Sequence, residues 1–235
     1  EYPDIRDYIL EHRKILPMIE KIGIPKIQRG KEEGIELGLP DKVDLRGWCS
    51  PVENQGKLGS CTAHACVGLV EYYEQRAFGK YIDASRLFLY KVTRKLLGLT
   101  GDTGAFIRTT MGALVLFGVP PEKYWPYNIS KFDEEPSAFC YAFAQNYQAL
   151  KYFKLDPPGT SKDLLLIKIK ILLAYGIPSM FGFAVYNSIY QANKNGKIPF
   201  PCENERLLGG HAVMAVGYDN NMVIKNYGCN IETQG

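Results

Sequence analysis

Apolar and polar residues recur with helical spacing in three stretches of the first half of the chain. Between Ala63 and Val70 the apolar residues fall on one stripe, which predicts an amphipathic helix over Cys61–Phe78. The same spacing predicts helices over residues 85–97 and 107–117. The first half of the chain is therefore expected to be largely helical.

The second half carries short apolar runs, from residue 147 onward, that are typical of strands. Residues 179–186 and 211–218 are nearly unbroken apolar runs, and both are predicted to be core strands. Residues 161–175 are ambiguous, because part of the run alternates as in a strand whereas its length suits a helix. We predict a helix there.

The N-terminal part of the chain differs in character from the rest. Residues 1–38 mix apolar side chains with many charges and are punctuated by glycine and proline. They are predicted to form an appended segment, and residues 39–235 to form the main domain.

Cys61 has the surroundings of a nucleophile. It follows Gly59 and Ser60 and opens the first predicted helix. Unpaired backbone N–H groups and the positive end of the helix dipole favour a thiolate there, which is the reactive form. A cysteine in an apolar stripe is more often a small buried hydrophobic residue, but the position at the helix start argues against that interpretation.

A thiolate nucleophile needs a base, and the chain has three histidines. His12 lies in a run of charges and is predicted to be a solvated residue on a helix face. His64 shares the helix of Cys61, where the helix N-terminus would destabilise an imidazolium, so a structural role is predicted. His211 follows a glycine pair at the start of a predicted strand, which would hold its ring rigidly. It is the predicted base.

These motifs together resemble the papain family of cysteine peptidases, of the prokaryotic type with a short N-terminal segment. The resemblance rests on Gln55-Gly56, Gly59-Ser60-Cys61 and the run from Gly210-His211 to Tyr218-Asp219. His211 lies 150 residues after Cys61, and Gln55 six residues before it. The resemblance implies an α+β fold of two lobes, one helical and one of antiparallel strands, with the cleft between them. It also implies that the side chain of Gln55 and the backbone N–H of Cys61 hold the oxyanion.

Two glycines are candidates for binding substrate. The segment from Gly101 to Ala105 resembles the family's glycine segment that pairs with substrate backbone, which makes Gly104 a candidate contact, although a plain turn glycine is equally common. Gly210 is expected to leave the side-chain pocket open, and hydrophobic substrate residues are the preferred guess. Residues 186–208 are polar and rich in turns, and are predicted to form a wall of the cleft.

The chain departs from the family pattern most clearly at the asparagine that orients the histidine. No Asn-Ser-Trp-Gly occurs, and the candidate at about the right distance is Asn226, followed by Tyr227-Gly228. Either Asn226 orients His211, or residues 226–235 are the extended turn of a hairpin whose second strand carries the asparagine beyond Gly235. We favour the second interpretation.

Two further departures lie beside the nucleophile. Leu58 occupies the place where many papain relatives have a cysteine that anchors a disulfide, and Thr62 replaces the usual tryptophan, which predicts a smaller and more polar cleft wall. With Cys61 kept free, five of the six cysteines remain, so no complete disulfide framework is predicted. A secreted or lysosome-like compartment is somewhat favoured over the cytoplasm.

Composition agrees with an enzyme of this kind without identifying it. The chain of 235 residues is 46% hydrophobic, enough for one substantial core or two packed lobes. A net charge of +3 is too weak to indicate nucleic-acid binding. The longest apolar stretch, residues 164–177, is shorter than a bilayer span and contains two lysines, so no membrane association is expected. A signal peptide is expected to be absent or already removed.

The predicted function is hydrolysis of peptide bonds by Cys61, His211 and Gln55, in a monomer that needs no metal or organic cofactor. Its expected partners are peptide or protein substrates and its own segment 1–38, which either restrains activity until displaced or clasps the outside of the fold. Amide transfer by the same pair is a related possibility. The alternative from another class is an inactive papain-fold binding or inhibitory module.

Overall fold

The computed structural model describes residues 7–24 and 38–234. Its helices are α1 Leu16–Ile22, α2 Cys61–Phe78, α3 Arg86–Leu96, α4 Ile107–Phe117, α5 Ala138–Ala144, α6 Lys162–Ala174 and α7 Ala192–Asn195. Its strands are β1 Tyr8–Ile9, β2 Lys42–Asp44, β3 Phe153–Lys154, β4 Ser179–Tyr186, β5 Leu207–Ala215, β6 Gly217–Asp219, β7 Val223–Asn226 and β8 Ile231–Gln234.

The predicted helices form where their sequence signals lie. Ser85 caps α3 by accepting a hydrogen bond from the N–H of Phe88, and Ser161 caps α6 through the N–H of Leu164. Helix α2 ends at Gly79, whose φ of +67° suits a residue without a side chain. The helix predicted over residues 161–175 is confirmed as α6.

One lobe is helical and has a dry core. Helices α2, α3 and α4 pack on one another, and side chains from each of them are fully enclosed. Val67, Leu87, Phe88 and Ala113 have no exposed surface. Burial of this apolar area is the main force that fixes the position and direction of α2, and with it the position of Cys61.

The second lobe is built on the antiparallel pair β4 and β5. Its register sets Phe181 opposite Val213 and Phe183 opposite His211. Strand β5 packs against α2, where Gly68 lies beside the Met214 side chain. The architecture is therefore α+β with a helical lobe and a β lobe, as expected.

The two predicted core strands form, but they are less buried than core strands were expected to be. In β5 only Ala212 is buried, and Phe181 of β4 is 41% exposed. Within the described residues this sheet has two strands, and α2 contacts β5. An apolar run in the sequence does not show how many sides of a strand other elements cover. The predicted strand 211–218 also differs: β5 begins at Leu207, and Val216 separates it from β6.

The C-terminal residues form a hairpin that differs from the prediction. Strands β7 and β8 pair antiparallel, with Asn226 opposite Ile231, so the turn covers residues 227–230. Residues 226–235 are thus not one extended turn, and the returning strand of this hairpin lies within the chain. Strand β8 contains no asparagine.

The described part of the N-terminal segment packs on β3 and α6 and also contacts α4 of the helical lobe. Strand β1 pairs in parallel with β3, while Ile15 and Ile19 are buried against Ile171 and Leu172 of α6. The side chain of Asp7 forms an ion pair with Arg108 at the start of α4 and accepts a hydrogen bond from the Tyr152 hydroxyl at 2.8 Å. Residues 1–6 and 25–37 of the predicted segment lie outside the described residues.

One disulfide joins Cys202 to Cys229 and thereby ties the segment before β5 to the β7–β8 turn. Cysteine counting did not predict this pair. Cys49, Cys61, Cys66 and Cys140 are free. Among the helices that the structure describes, none is both long and apolar enough to span a membrane.

Candidate active site

Cys61 is the first residue of α2 and is half-buried. Ser60 precedes the helix, but its side chain makes no capping hydrogen bond to the first turn. The Ser60 hydroxyl instead contacts the Tyr127 hydroxyl at 2.6 Å. The first N–H groups of α2 therefore remain available to stabilise a negative charge on or near the Cys61 sulfur.

Tyr127 braces the segment that leads into α2. Its hydroxyl donates a hydrogen bond to the carbonyl oxygen of Gln55 at 2.9 Å, so Ser60 is the donor in the contact between the two hydroxyls. Burial raises the pKa of Tyr127, which keeps its hydroxyl protonated and able to donate. Both ends of the segment 55–60 are thus held by one side chain.

Gln55, the predicted oxyanion donor, is half-buried in this segment. Its side-chain Nε2 donates a hydrogen bond to the carbonyl oxygen of Leu58 at 2.9 Å. That bond fixes the amide group against its own loop and uses one of the two N–H bonds on Nε2. The second N–H is the one that an oxyanion would use.

The structure brings Gly104 next to residues 55–61, which are called the nucleophile segment because they end at Cys61, the predicted nucleophile. The N–H of Gly59 donates to the Asp102 carboxylate at 2.9 Å, and the N–H of Gly104 donates to the Tyr90 hydroxyl at 3.1 Å. A methyl group added to Gly59 would lie 3.3 Å from the Cα of Gly104. Gly104 also has φ of +72°, which favours glycine.

His64 has the structural role that the sequence predicts. Its Nδ1 lies 3.0 Å from the carbonyl oxygen of Ser60, and its ring meets the Tyr127 ring edge-on at 5.0 Å. Burial lowers the pKa of His64, which favours the neutral ring. His64 therefore supports the turn before α2. His12 lies in the turn before α1 rather than on a helix face, and its Nδ1 accepts a hydrogen bond from the Lys14 N–H.

His211 lies on β5, the strand that packs against α2, and is half-buried. Its ring meets the Phe183 ring edge-on, with centroids 5.8 Å apart. Within residues 7–24 and 38–234, the Cys61 thiol and the His211 ring do not hydrogen-bond to each other. Helix α2 and strand β5, which carry Cys61 and His211, therefore pack against each other, without a hydrogen bond between the two side chains in this state.

Asn226 does not orient His211. It is 1% exposed, and its side-chain Nδ2 donates to the carbonyl oxygen of Phe200 and to Glu205, each at 2.9 Å. Its Oδ1 accepts from the side chain of Gln191. Asn226 therefore organises the segment between β4 and β5, which agrees with the interpretation that it is not the catalytic asparagine.

The other predicted site features lie as follows. Gly210 is exposed, and open space surrounds the point where a side chain would begin. Leu58 is 3% exposed and packs in the core of the helical lobe. Thr62 is also 3% exposed, so the prediction that it forms a cleft wall is wrong: its side chain points into the fold.

Sequence reasoning missed Asp102, Tyr90 and Tyr127, which hold the segments around Cys61 and Gly104. An aspartate between turn residues is a signal for a side-chain bond to backbone, and Gly101-Asp102-Thr103-Gly104 carries that signal. No local pattern indicates its partner, since Gly59 lies 43 residues earlier.

Comparisons with known proteins match most of the chain to one family. The model of the papain family of cysteine proteases matches residues 39–229. An uncharacterized peptidase C1-like protein of Acanthamoeba polyphaga mimivirus is 35% identical over 181 residues, which make up 74% of this chain and 58% of that protein. Cathepsin L2 of Homo sapiens is 30% identical over 203 residues, or 82% of this chain and 56% of that protein. The chain thus spans a little over half the length of these relatives.

Among solved structures, xylellain, a cysteine protease from Xylella fastidiosa, is 33% identical. The match covers 96% of this chain and 81% of that chain, with a TM-score of 0.68. The family match over residues 39–229 and this shared fold show that the chain belongs to the papain family of cysteine proteases.

Proposed function

We propose that this protein is a cysteine endopeptidase in which Cys61 is the nucleophile and His211 the base. The observation that carries the proposal is the placement of Cys61 at the first residue of α2, with an uncapped helix N-terminus beneath it and β5, the strand of His211, packed on the same helix. Family membership supports the same chemistry.

The reaction follows from these positions. His211 takes the Cys61 proton, and the thiolate attacks the peptide carbonyl carbon to form a C–S bond. The negative oxygen is held by the Cys61 N–H and the free N–H of the Gln55 amide. His211 protonates the leaving amine as the C–N bond breaks. Water, deprotonated by His211, then hydrolyses the thioester and returns the thiol.

Peptide or protein substrates fit the surfaces next to Cys61. Gly104 offers backbone groups beside the nucleophile segment, where an extended substrate would pair. Gly210, one residue before His211, leaves open space for a substrate side chain. A methyl group added to Gly182 on β4 would lie 3.4 Å from the side chain of Ile107. Apolar substrate side chains suit these surroundings.

The segment 1–38 is proposed to restrain activity until it is displaced or cut. Support comes from the ion pair of Asp7 with Arg108, which lies in the first turn of α4. Helix α4 follows residues 101–105, which are called the Gly104 loop. The packing of α1 on α6 equally suits a clasp. An Asp7→Asn variant tests the restraint: a rise in turnover supports it, and unchanged turnover with unchanged inhibitor labelling argues for the clasp.

The Cys202–Cys229 disulfide supports a secreted or lysosome-like compartment, because disulfides persist mainly in oxidising surroundings. Expression with and without an export signal, followed by thiol counting, tests this. If Cys202 and Cys229 stayed reduced in the exported protein, the proposed compartment would be contradicted.

The decisive test of the chemistry is intact-mass labelling by a peptidyl epoxide between pH 4 and 9. We expect labelling at Cys61 that persists at acidic pH and is lost in His211→Ala, because only a thiolate–imidazolium pair stays reactive there. Cys49→Ala is the matched control, since Cys49 is also free and half-buried, and burial raises its pKa. Labelling restricted to alkaline pH and unaffected by His211→Ala would show a module without peptidase chemistry.

A further inference from the structure

We propose that Asp102 is a positioning residue that clamps the nucleophile segment to the Gly104 loop through hydrogen bonds. The proposal rests on the proposed function and adds to it a residue that acts on Cys61 through the backbone rather than on substrate.

One oxygen atom forms the clamp. Oδ1 of Asp102 accepts hydrogen bonds from the Gly59 N–H at 2.9 Å and from the Tyr90 hydroxyl at 2.6 Å. The Tyr90 oxygen in turn accepts from the Gly104 N–H at 3.1 Å. A continuous chain of three hydrogen bonds therefore links Gly59, two residues before the nucleophile, to Gly104.

The position of this clamp makes it significant. Residue 58 is a leucine that carries no sulfur and packs in the apolar core, so the disulfide that many papain relatives anchor at this position cannot form here. Gly59 is the next residue and is bound to Asp102 instead. Non-covalent bonds therefore hold together the two segments beside the nucleophile.

The base of the clamp is rigid. Tyr90 is fully buried on α3, and the guanidinium of Arg94 lies 4.2 Å from the centre of its ring. Burial and the adjacent Asp102 carboxylate raise the pKa of Tyr90, so its hydroxyl stays protonated and donates to Asp102. The Asp102 carboxylate is thus held by a side chain that is enclosed in the core of the helical lobe.

The clamp acts on the reaction through the Cys61 backbone. A shift of Gly59 displaces the Cys61 N–H that is proposed to hold the oxyanion, and displacement of such a donor lowers kcat. Misplacement by about 1 Å costs up to about 100-fold in rate. Asp102 is exposed, so water competes for its oxygens, and an effect of about 10-fold is expected instead.

The test compares Asp102→Ala, Asp102→Asn and Tyr90→Phe with the wild-type chain. Asparagine keeps an Oδ1 that accepts both hydrogen bonds, whereas alanine removes it. We expect Asp102→Ala to lower kcat about 10-fold with little change in KM, Asp102→Asn to retain most of the rate, and Tyr90→Phe to lie between them. Hydrogen exchange of the Gly59 amide should accelerate in Asp102→Ala and not in Asp102→Asn.

Glu135→Ala is the matched control. Glu135 is exposed on the same lobe, accepts a hydrogen bond from the Tyr141 hydroxyl at 2.8 Å and pairs with Lys95, but it does not bond to Gly59 or Gly104. The variant therefore removes a similar tyrosine–carboxylate pair and leaves the Asp102 hydrogen bonds in place. It should change neither kcat nor Gly59 exchange. An equal loss of kcat in Glu135→Ala and Asp102→Ala would overturn the clamp, because it would show a general loss of stability.

The outcomes separate the clamp from the proposed function. Wild-type turnover with an unchanged kcat in Asp102→Ala overturns the clamp alone. Absence of wild-type turnover and of Cys61 labelling overturns the function, and Gly59 exchange then decides the clamp independently. If Asp102→Ala does not fold, Tyr90→Phe decides, and wild-type kcat and wild-type Gly59 exchange in that variant would overturn the proposal.

Discussion

The two sides of the candidate site are built differently. On the nucleophile side, Ser60, Gly59 and the carbonyl oxygen of Gln55 are each bonded to a side chain from elsewhere in the chain. On the base side, the His211 ring has one described aromatic neighbour, Phe183, on the paired strand. Polar bonds therefore fix the segment before Cys61, the proposed nucleophile, whereas sheet register and packing position His211, the proposed base.

This difference extends to the lobes that carry the two residues. The helical lobe encloses charged groups within its core, of which Glu71 and Arg86 are bonded at 2.9 Å. The β lobe carries the surface ion pair of Lys225 with Glu232, pairs the buried Lys168 of α6 with the exposed Glu11 at 3.0 Å, and ties its long segment with a disulfide. We therefore expect that loss of one member of the buried network destabilises the helical lobe more than loss of a surface ion pair destabilises the β lobe.

The largest expected effect comes from breaking the buried network. Glu71 is fully buried and accepts hydrogen bonds from Ser50, the Ala84 N–H and Arg86. In Glu71→Ala the buried Arg86 charge keeps only the exposed Asp83 as a carboxylate partner, at 3.3 Å, and the free energy of unfolding should fall by about 3–5 kcal/mol. Urea unfolding measures this.

The control for that variant lies in the β lobe. Glu232→Ala removes a surface ion pair of 3.3 Å with Lys225 and should cost no more than about 1 kcal/mol. Similar losses in the two variants would contradict the contrast between the lobes.

The second effect is loss of the disulfide. Its cysteines are separated by 27 residues. Replacing both with serine should lower the stability by about 3–4 kcal/mol, because the unfolded chain gains freedom. The labelling rate of Cys61 at pH 5 should not change, since the disulfide lies in the other lobe. Slower labelling of Cys61 would show that the two sides of the site are coupled.

The third comparison sets two glycines against each other. A methyl group on Gly59 would lie 3.0 Å from Asp102 and 3.3 Å from Gly104, whereas one on Gly210 meets open space. Gly59→Ala should therefore lower kcat about 10-fold by separating the loops. Gly210→Ala should act mainly on KM, because the methyl group enters the proposed side-chain pocket. Steady-state kinetics on a peptide substrate distinguishes them, and a loss of kcat confined to Gly210→Ala would reverse the comparison.

The smallest expected effect is on the pH dependence of stability, which should have opposite slopes in the two lobes. Burial raises the pKa of Glu122 in the helical lobe from its ordinary 4.5 to about 7. The folded state therefore favours the protonated form, so this contribution is present below pH 4.5 and is lost as the pH rises through 7. Glu122→Gln should flatten that part of the profile.

In the β lobe, hydrogen bonds from the backbone N–H groups of Cys202 and Ser188 and from Asn226 lower the pKa of Glu205 from 4.5 to about 2. Its contribution is present above pH 4.5 and is lost as the pH falls toward 2. Glu205→Gln should flatten the acidic part only. Thermal unfolding across pH 2–8 tests both variants, and a single shared slope would contradict the assignment to separate lobes.

Much of the fold was predictable because its signals are local. Helical periodicity predicted α2 and α4 with their observed bounds, and Ser85 and Ser161 marked the starts of α3 and α6. The strand predicted over Ser179–Tyr186 is β4. Its burial was not predictable, since an apolar run does not reveal how many of its faces another element covers.

The candidate site divides in the same way. By itself the sequence determined which groups are candidates for the chemistry and where they lie along the chain: a cysteine at a helix start, a histidine on a strand and a glutamine six residues before the cysteine. These follow from residue type and from neighbours within a few positions. The tertiary structure alone decided that Asp102 binds Gly59, that Asn226 binds Phe200 and Glu205, and that Cys202 pairs with Cys229. Each of these contacts joins residues 21 or more positions apart, and their meeting depends on how the lobes pack, which no local periodicity encodes.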